Sequence, residues 1–507
     1  MTERKQKANV LIIGSGLMGA AVAHVIGRAA PRATISMVDA GPLIGSRPGL
    51  HVHDTPDEEI WLRYNRQPSP GIQPPYSGPN LNAKRAEAVT DLQPGMHTLA
   101  AIGEDARELP GAGISWNTGG MGVHWTGATP TPWGSEVPVG IPAKEWAHDV
   151  SVAQNLLRVS QDPFGPSNLA NALRRALASA NLGEPTFAGR EVQSMPMALF
   201  ENDRGFLGRV GPSIIFPEMT NRSDGRYSIF PSTLATRLNH DGKIVNGADL
   251  LSIQTGETWS LESSVTVICA DSIRTPQLLF ASGIDGSAIG RFLNEHAFLS
   301  GRVLVDPRSI GSSYEDIPAI RDKEWCLGSH WIPHQEQVQP FHGQITDTIF
   351  QERDGSLLAY SVGLSFYVPT EIREDNRLIF SDFETDLLGM PRITVRYSYS
   401  ERDRSRIEQA REVQRKTAER LGDFDPRTES ILLRPGSSFH ITGTVRMGQD
   451  DDGSCVCDTD MKVWNYENLF LAGCGVIPTA MACNATLTGI ATAVRAARSA
   501  SAALSRR

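Results

Sequence analysis

The chain has 507 residues, 40% hydrophobic and 21% charged, with a formal net charge of −9. That length buries a large core but exceeds what one domain ordinarily holds, so more than one domain is expected. The acidic balance gives no electrostatic footprint for nucleic acid or an anionic membrane, and no apolar run approaches the roughly 20 residues that span a bilayer. Met1 to Lys7 is polar and leads straight into an apolar strand, which leaves no room for a secretory leader; a cytoplasmic location is expected.

Val10-Leu11-Ile12-Ile13 predicts a buried strand that runs into Gly14-Ser15-Gly16-Leu17-Met18-Gly19, and Ala20 to Ile26 predicts a small-residue helix. A second strand, Thr34 to Val38, ends on Asp39. A GxGxxG gains force from this context, strand before and helix after, with an acid about 20 residues on. Gly14 permits the tight turn, Gly16 admits the pyrophosphate to the backbone, and Gly19 allows close helix–strand packing. Phosphates would meet the helix N-terminus, and Asp39 the ribose of the adenosine half. These residues bind a dinucleotide; NAD and FAD both remain open on them alone.

From Gly41 to Met96 the chain is polar and rich in Pro and Gly, with Gln67-Pro68-Ser69-Pro70-Gly71 and Gln73-Pro74-Pro75-Tyr76. Such a stretch reads as loops that wrap the cofactor or guard an entrance, or as a surface linker. Asn117 to Pro130 is dense in glycine, which lets main chain approach something flat. Tyr227 to Ala270 alternates as an antiparallel meander, and Asp271 opens a helix that stops near Ser282-Gly283. Residues 301–435 are strand-like, with one long polar helix from Glu401 to Leu421. Leu469 to Ala497 returns to strand, loop and helix.

The expected fold is therefore α/β. A discontinuous Rossmann-like cofactor domain draws on residues 1–135, 216–300 and 436–507, beside a sheet-and-helix substrate domain at 301–435. Residues 136–215 belong to the substrate domain or lie between the two. The six cysteines are scattered, and Cys455-x-Cys457 has no second ligand pair at zinc spacing, so no metal is expected.

Gly14 to Gly19 with Asp39, Gly119 to Pro130, Ala270 to Gly283, Gly290 to His296 and His440 to Gly489 together resemble the glucose–methanol–choline flavin oxidoreductases. Gly120 to Pro130 and Asn468 to Ala480 are most similar to pyranose oxidases and bacterial glycoside 3-oxidases. The resemblance implies FAD. It places Gly14, Gly16, Gly19, Asp39, Gly122, His124, Thr126, Gly473, Cys474 and Thr486 against that cofactor, Thr126 beside flavin N5 and O4. In fungal pyranose oxidases the counterpart of His124 is bonded covalently to the flavin and follows threonine. Here Val123 precedes it, and both a covalent bond and simple packing stay open.

The resemblance also assigns His440 as the base and Asn484 as the partner that orients the same hydroxyl. Histidine suits the first role because its ordinary pKa, about 6.5, leaves it accepting near neutrality. A helix starting near Ala485 or Thr486 would stabilise the anionic reduced flavin by about 0.3–2 kcal/mol. Phe341 to Asp347 resembles the family segment whose glutamine and aspartate reach sugar hydroxyls, so Gln344 and Asp347 are candidate substrate contacts; the spacing to Asp347 is one residue short.

The expectation is a monomeric FAD oxidase of a secondary ring hydroxyl, C3 or C2, of a pyranose or glycoside, with O2 as acceptor and H2O2 as product. A sugar dehydrogenase passing electrons to a quinone or protein is the rival. A non-redox flavoprotein lyase is the third reading.

Overall fold

The computed structural model describes residues 5–65, 86–180, 187–203, 205–220, 225–321, 326–351 and 357–506. The Pro-rich strings at 67–71 and 73–76 lie outside the described residues. The flanks of that region carry a helical turn at Val52–Asp54, a helix at Glu58–Asn65 and a strand at Gly95–Thr98.

In chain order the first layer holds β1 (Lys5–Ile13), α1 (Leu17–Ala29), β2 (Ile35–Val38), β3 (Tyr227–Phe230), β4 (Thr233–Asp241), β5 (Ile244–Ser252), β6 (Thr258–Ile268) and α2 (Asp271–Ala281). The second layer holds β7 (Ala297–Leu304), β8 (Cys326–Ile332), β9 (His342–Gln351), β10 (Leu357–Val368), α3 (Glu401–Leu421) and β11 (Ser430–Leu432). The chain then returns to the first layer with β12 (Leu469–Leu471) and α4 (Thr486–Leu504).

The first sheet runs β3-β2-β1-β6-β5-β4, with β12 also pairing β6. β1 lies parallel to both β2 and β6, with Val10 opposite Ile35 on one side and Val265 on the other. A strand buried on both faces needs a continuous apolar run, and Val10 to Ile13 supply one. β4, β5 and β6 form the antiparallel meander expected of that stretch. α1 sits close on the sheet because a Cβ at Gly19 would fall 2.0 Å from the Gly14 carbonyl oxygen. Gly14 itself stands at φ +105, a region closed to most side chains.

The second sheet is antiparallel, in the order β11-β7-β10-β9-β8, with the short strand Gln193–Ser194 at its edge. One face packs an apolar core of Ile345, Val362, Leu364 and Phe366 under Ile407 and Ala410 of α3. The buried Gln414 of α3 donates to Leu364 O and accepts from Ser430 Oγ, so the polar group costs little inside that core. A capping box between Ser400 and Asp403 starts α3 at the residue the sequence marks.

The segment 136–215 serves both layers. Its helix Ala143–Leu156 packs against α4, and Arg495 of α4 pairs there with Glu145 at 2.9 Å and Asp149 at 3.2 Å. Its next helix, Asn168–Ser179, instead buries Leu169, Leu173 and Leu177 in the second core. Among the described residues no helix is long and apolar enough to cross a membrane.

Candidate active site

A cavity of about 290 Å³ runs along the C-terminal ends of β1 and β2, where the parallel strands deliver their loops. Gly14, Gly16, Asp39, Gly122, Gly473, Cys474 and Thr486 line it, so seven of the residues expected at a cofactor converge. Three observations fit it to a dinucleotide. Among the described residues a Cβ at Gly16 would have only the Gly119 carbonyl oxygen within reach, at 3.7 Å, so its other side is open toward the cavity. Ser15 N–H and Oγ–H both donate to Asp39 Oδ2, at 3.0 and 2.6 Å, and Gly41 N–H donates to Oδ1. These bonds make Asp39 the brace of the glycine loop, and one of its roughly four acceptor positions is left for a ribose. Burial pushes its carboxyl up to about 6. The third observation is α4: among the described residues no side chain caps its N-terminus, and Thr486 faces the cavity. Its free amides suit an electron-rich ring edge.

A smaller cavity of about 50 Å³ adjoins the first, sharing Met121, Trp125, Phe439, His440 and Thr486 with it. Thr126, Ala128, Gln344, Tyr367 and Asn484 complete its wall. Both expected catalytic residues are therefore here. His440 Nε2 lies 3.4 Å from Asn484 Nδ2, and that amide also donates to Gln344 Oε1 at 3.4 Å. The other Asn484 atom, Oδ1, is buried without a partner among the described residues. Burial and the neighbouring His296 hold the His440 imidazole well below its ordinary range, so it is neutral and accepting at neutral pH.

The local chain is built to hold His440. The buried Glu295 carboxylate accepts from Gly436 N–H, and from Ser438 N–H and Oγ–H at 3.1 and 2.7 Å. Ser438 Oγ in turn accepts His440 N–H at 3.2 Å. Phe439 between them is pinned at φ +57, rare for an aromatic residue. His296, one residue past Glu295, reaches His440 Nδ1 with its Nε2 at 2.7 Å. Sequence reasoning gave His296, Tyr367 and Glu295 no role, because nothing in spacing ties residues 295 and 296 to residues 436–440.

Three expected residues stand elsewhere: Gly19 lines neither cavity and packs against Gly14 instead, and Asp347 and His124 have other partners. Asp347 does not reach the cavity. Gln344 and Asp347 differ by three positions on β9, so the strand's alternation sends them to opposite faces. Asp347 faces the second core, where Tyr360 Oη donates to it at 3.0 Å and His330 Nε2 lies 3.2 Å away. His124 lines neither cavity. Its Nε2 bonds to Asn117 Oδ1 at 2.8 Å, its ring lies beside Tyr64, and burial lowers its pKa to about 4. Among the described residues no cluster of His, Cys, Asp and Glu could hold a metal ion.

The family model described as GMC oxidoreductase matches residues 373–493. A C-glycoside 3-oxidase of Microbacterium trichothecenolyticum is 35% identical over 97% of this chain and 96% of its own length. A pyranose 2-oxidase of Tricholoma matsutake is 27% identical over 78% of this chain and 74% of its own. Among solved structures, pyridoxine 4-oxidase from Mesorbium loti superposes with a TM-score of 0.63 at 17% identity, covering 97% of this chain and 98% of that one. At that identity the likeness speaks to the fold alone.

Proposed function

Because this chain belongs to the GMC oxidoreductase family, whose cofactor is FAD, we propose that it oxidises the C3 hydroxyl of glucosyl groups, C-glycosides included. The observation that carries the reading is the convergence of His440 Nε2 and the unpartnered Asn484 Oδ1 on a small cavity that opens into the large one. A secondary alcohol loses a hydride from carbon and a proton from oxygen. His440, neutral in this setting, takes the proton at Nε2. Asn484 holds the same hydroxyl through its amide, and Gln344 pairs a neighbouring ring hydroxyl that would otherwise be desolvated unpaired. Gly14, Gly16, Asp39, Gly473, Cys474 and Thr486 would hold the cofactor, and the helix dipole of α4 would favour negative charge developing beside Thr486. When bound, FAD would supply the hydride acceptor, with O2 as the final acceptor of the electron pair and H2O2 as the product.

Preference for glycosides is supported by the stronger likeness to a C-glycoside 3-oxidase than to a pyranose 2-oxidase. The physical basis is aglycone binding energy, used to hold the reacting C–H in line at the transition state. The test is turnover of glucose and of an aryl C-glucoside under air, with product NMR and peroxide yield. A C3 ketone, faster from the C-glucoside and with one H2O2 per ketone, is expected. A C2 ketone with glucose preferred would overturn the regiochemistry. Turnover with a quinone but no peroxide would overturn the acceptor.

A further inference from the structure

Resting on the reading of His440 as the base, we propose that His296 is a positioning residue that selects which nitrogen of His440 is bare. The Met481 carbonyl is the fixed end of the relay. His296 Nδ1 lies 2.9 Å from Met481 O. A carbonyl only accepts, so that nitrogen carries the proton. A neutral imidazole has one proton to place, which leaves His296 Nε2 bare and accepting. His440 Nδ1 faces it at 2.7 Å and must therefore donate. The remaining nitrogen of His440, Nε2, is then bare on the side of Asn484 and the cavity. The opposite tautomer would set two lone pairs against each other across that short gap. Burial favours the single-proton form of both rings, holding His296 at about 4 and His440 well below the ordinary range.

A relay of this kind works only if its end cannot turn. Both flanks of Met481 are tied to Glu136, a buried residue far away in sequence. Glu136 Oε1 accepts the N–H groups of Ala482 and Cys483 at 2.8 and 2.6 Å, and its main-chain oxygen accepts Thr479 Oγ–H at 2.8 Å. The two imidazoles meet edge to face, 88° apart, and the Tyr367 ring lies against both. Once His440 has taken a proton at Nε2, its Nδ1–H remains aimed at the bare His296 nitrogen, which stabilises the imidazolium. That proton cannot leave through His296, whose far side already donates to Met481. It returns through Nε2, toward the cavity.

The test uses the FAD-loaded protein, labelled with 15N at histidine. His440 is assigned in the long-range 1H–15N spectrum with His440→Asn. In the wild type His440 should show a protonated Nδ1 and a bare Nε2. In His296→Leu the Nε2-protonated form should appear, and anaerobic cofactor reduction by sugar should slow by about 10²–10⁴-fold at unchanged FAD content. His296→Gln is the discriminating variant. Its amide N–H can donate to Met481 O and its Oε1 can accept from His440, so tautomer and most of the rate should return, which a role in packing alone would not require. An Nε2-protonated His440 in the wild type would overturn the proposal. So would a His296→Leu variant that keeps tautomer and rate, or a glutamine variant no better than leucine. The tautomer is read without substrate, so failure of the sugar to reduce the cofactor would count against the oxidase reading and leave the relay standing.

Discussion

Asn484 and Gln344 meet across the boundary between the two layers: the Asn484 amide, at the foot of α4, donates to Gln344 Oε1 on β9 at 3.4 Å. The contact joins a residue presented by the first layer to one presented by the second sheet, so the smaller cavity exists only where the layers touch. Gln344→Ala should raise KM more than it lowers kcat, because it removes a partner for a ring hydroxyl while sparing the base. The expected loss in kcat/KM is about 1–3 kcal/mol, roughly 5- to 150-fold. Asn484→Ala should depress kcat as well, since it also frees the His440 ring. Steady-state kinetics on one glucoside checks both, and a normal KM in Gln344→Ala would remove that residue from the substrate site.

His440→Ala should keep the fold and FAD yet lose cofactor reduction by about 10²–10⁴-fold, the usual worth of a general base. Stopped-flow bleaching under anaerobic conditions measures it directly. Near-normal bleaching would take His440 out of the mechanism.

Gly16 and Gly19 separate cofactor binding from folding. A side chain at Gly16 points into the large cavity, so Gly16→Val should fold and be purified without FAD. A methyl at Gly19 meets a backbone carbonyl oxygen at 2.0 Å and cannot be relieved by a rotamer change. Gly19→Ala should lower thermal stability, by about 1–3 kcal/mol or more, even when FAD is supplied. Absorbance at the flavin band and a melting curve distinguish the two outcomes. Full FAD content in Gly16→Val would refute the assignment of the glycine loop.

FAD should be held without a covalent bond to His124. That imidazole uses its Nε2 on Asn117 and lines neither cavity. Acid precipitation should leave a colourless pellet under a yellow supernatant. A yellow pellet would mean that the ring turns away from Asn117 to reach the cofactor.

The acid limb of the pH profile should lie unusually low. Protonated His440 cannot accept the hydroxyl proton, and burial beside His296 shifts its titration below the ordinary 6.5. The rate of cofactor reduction should therefore stay flat as pH falls through about 6.5, declining only at lower pH. A half-point at or above that ordinary value would show that the imidazole is more solvated than its surroundings here allow.

The cofactor layer was legible in the sequence because its signals are local. Val10 to Ile13, the three glycines and Asp39 occupy one βαβ unit, and their spacing alone fixes the strand, the turn and the helix. The long polar run from Glu401 to Leu421 likewise marked α3 within its own segment. His440 and Asn484 were legible only through family resemblance, since a lone histidine and a lone asparagine carry no periodicity. What tertiary structure decided is the pairing. Alternation along β9 put Gln344 into the cavity and Asp347 into the core. Glu136, Glu295 and His296 brace the segments that carry His440 and Asn484 from remote parts of the chain. Hydrogen bonds of 2.6–3.1 Å between such residues depend on how two sheets pack, and no pattern within any one segment records that packing.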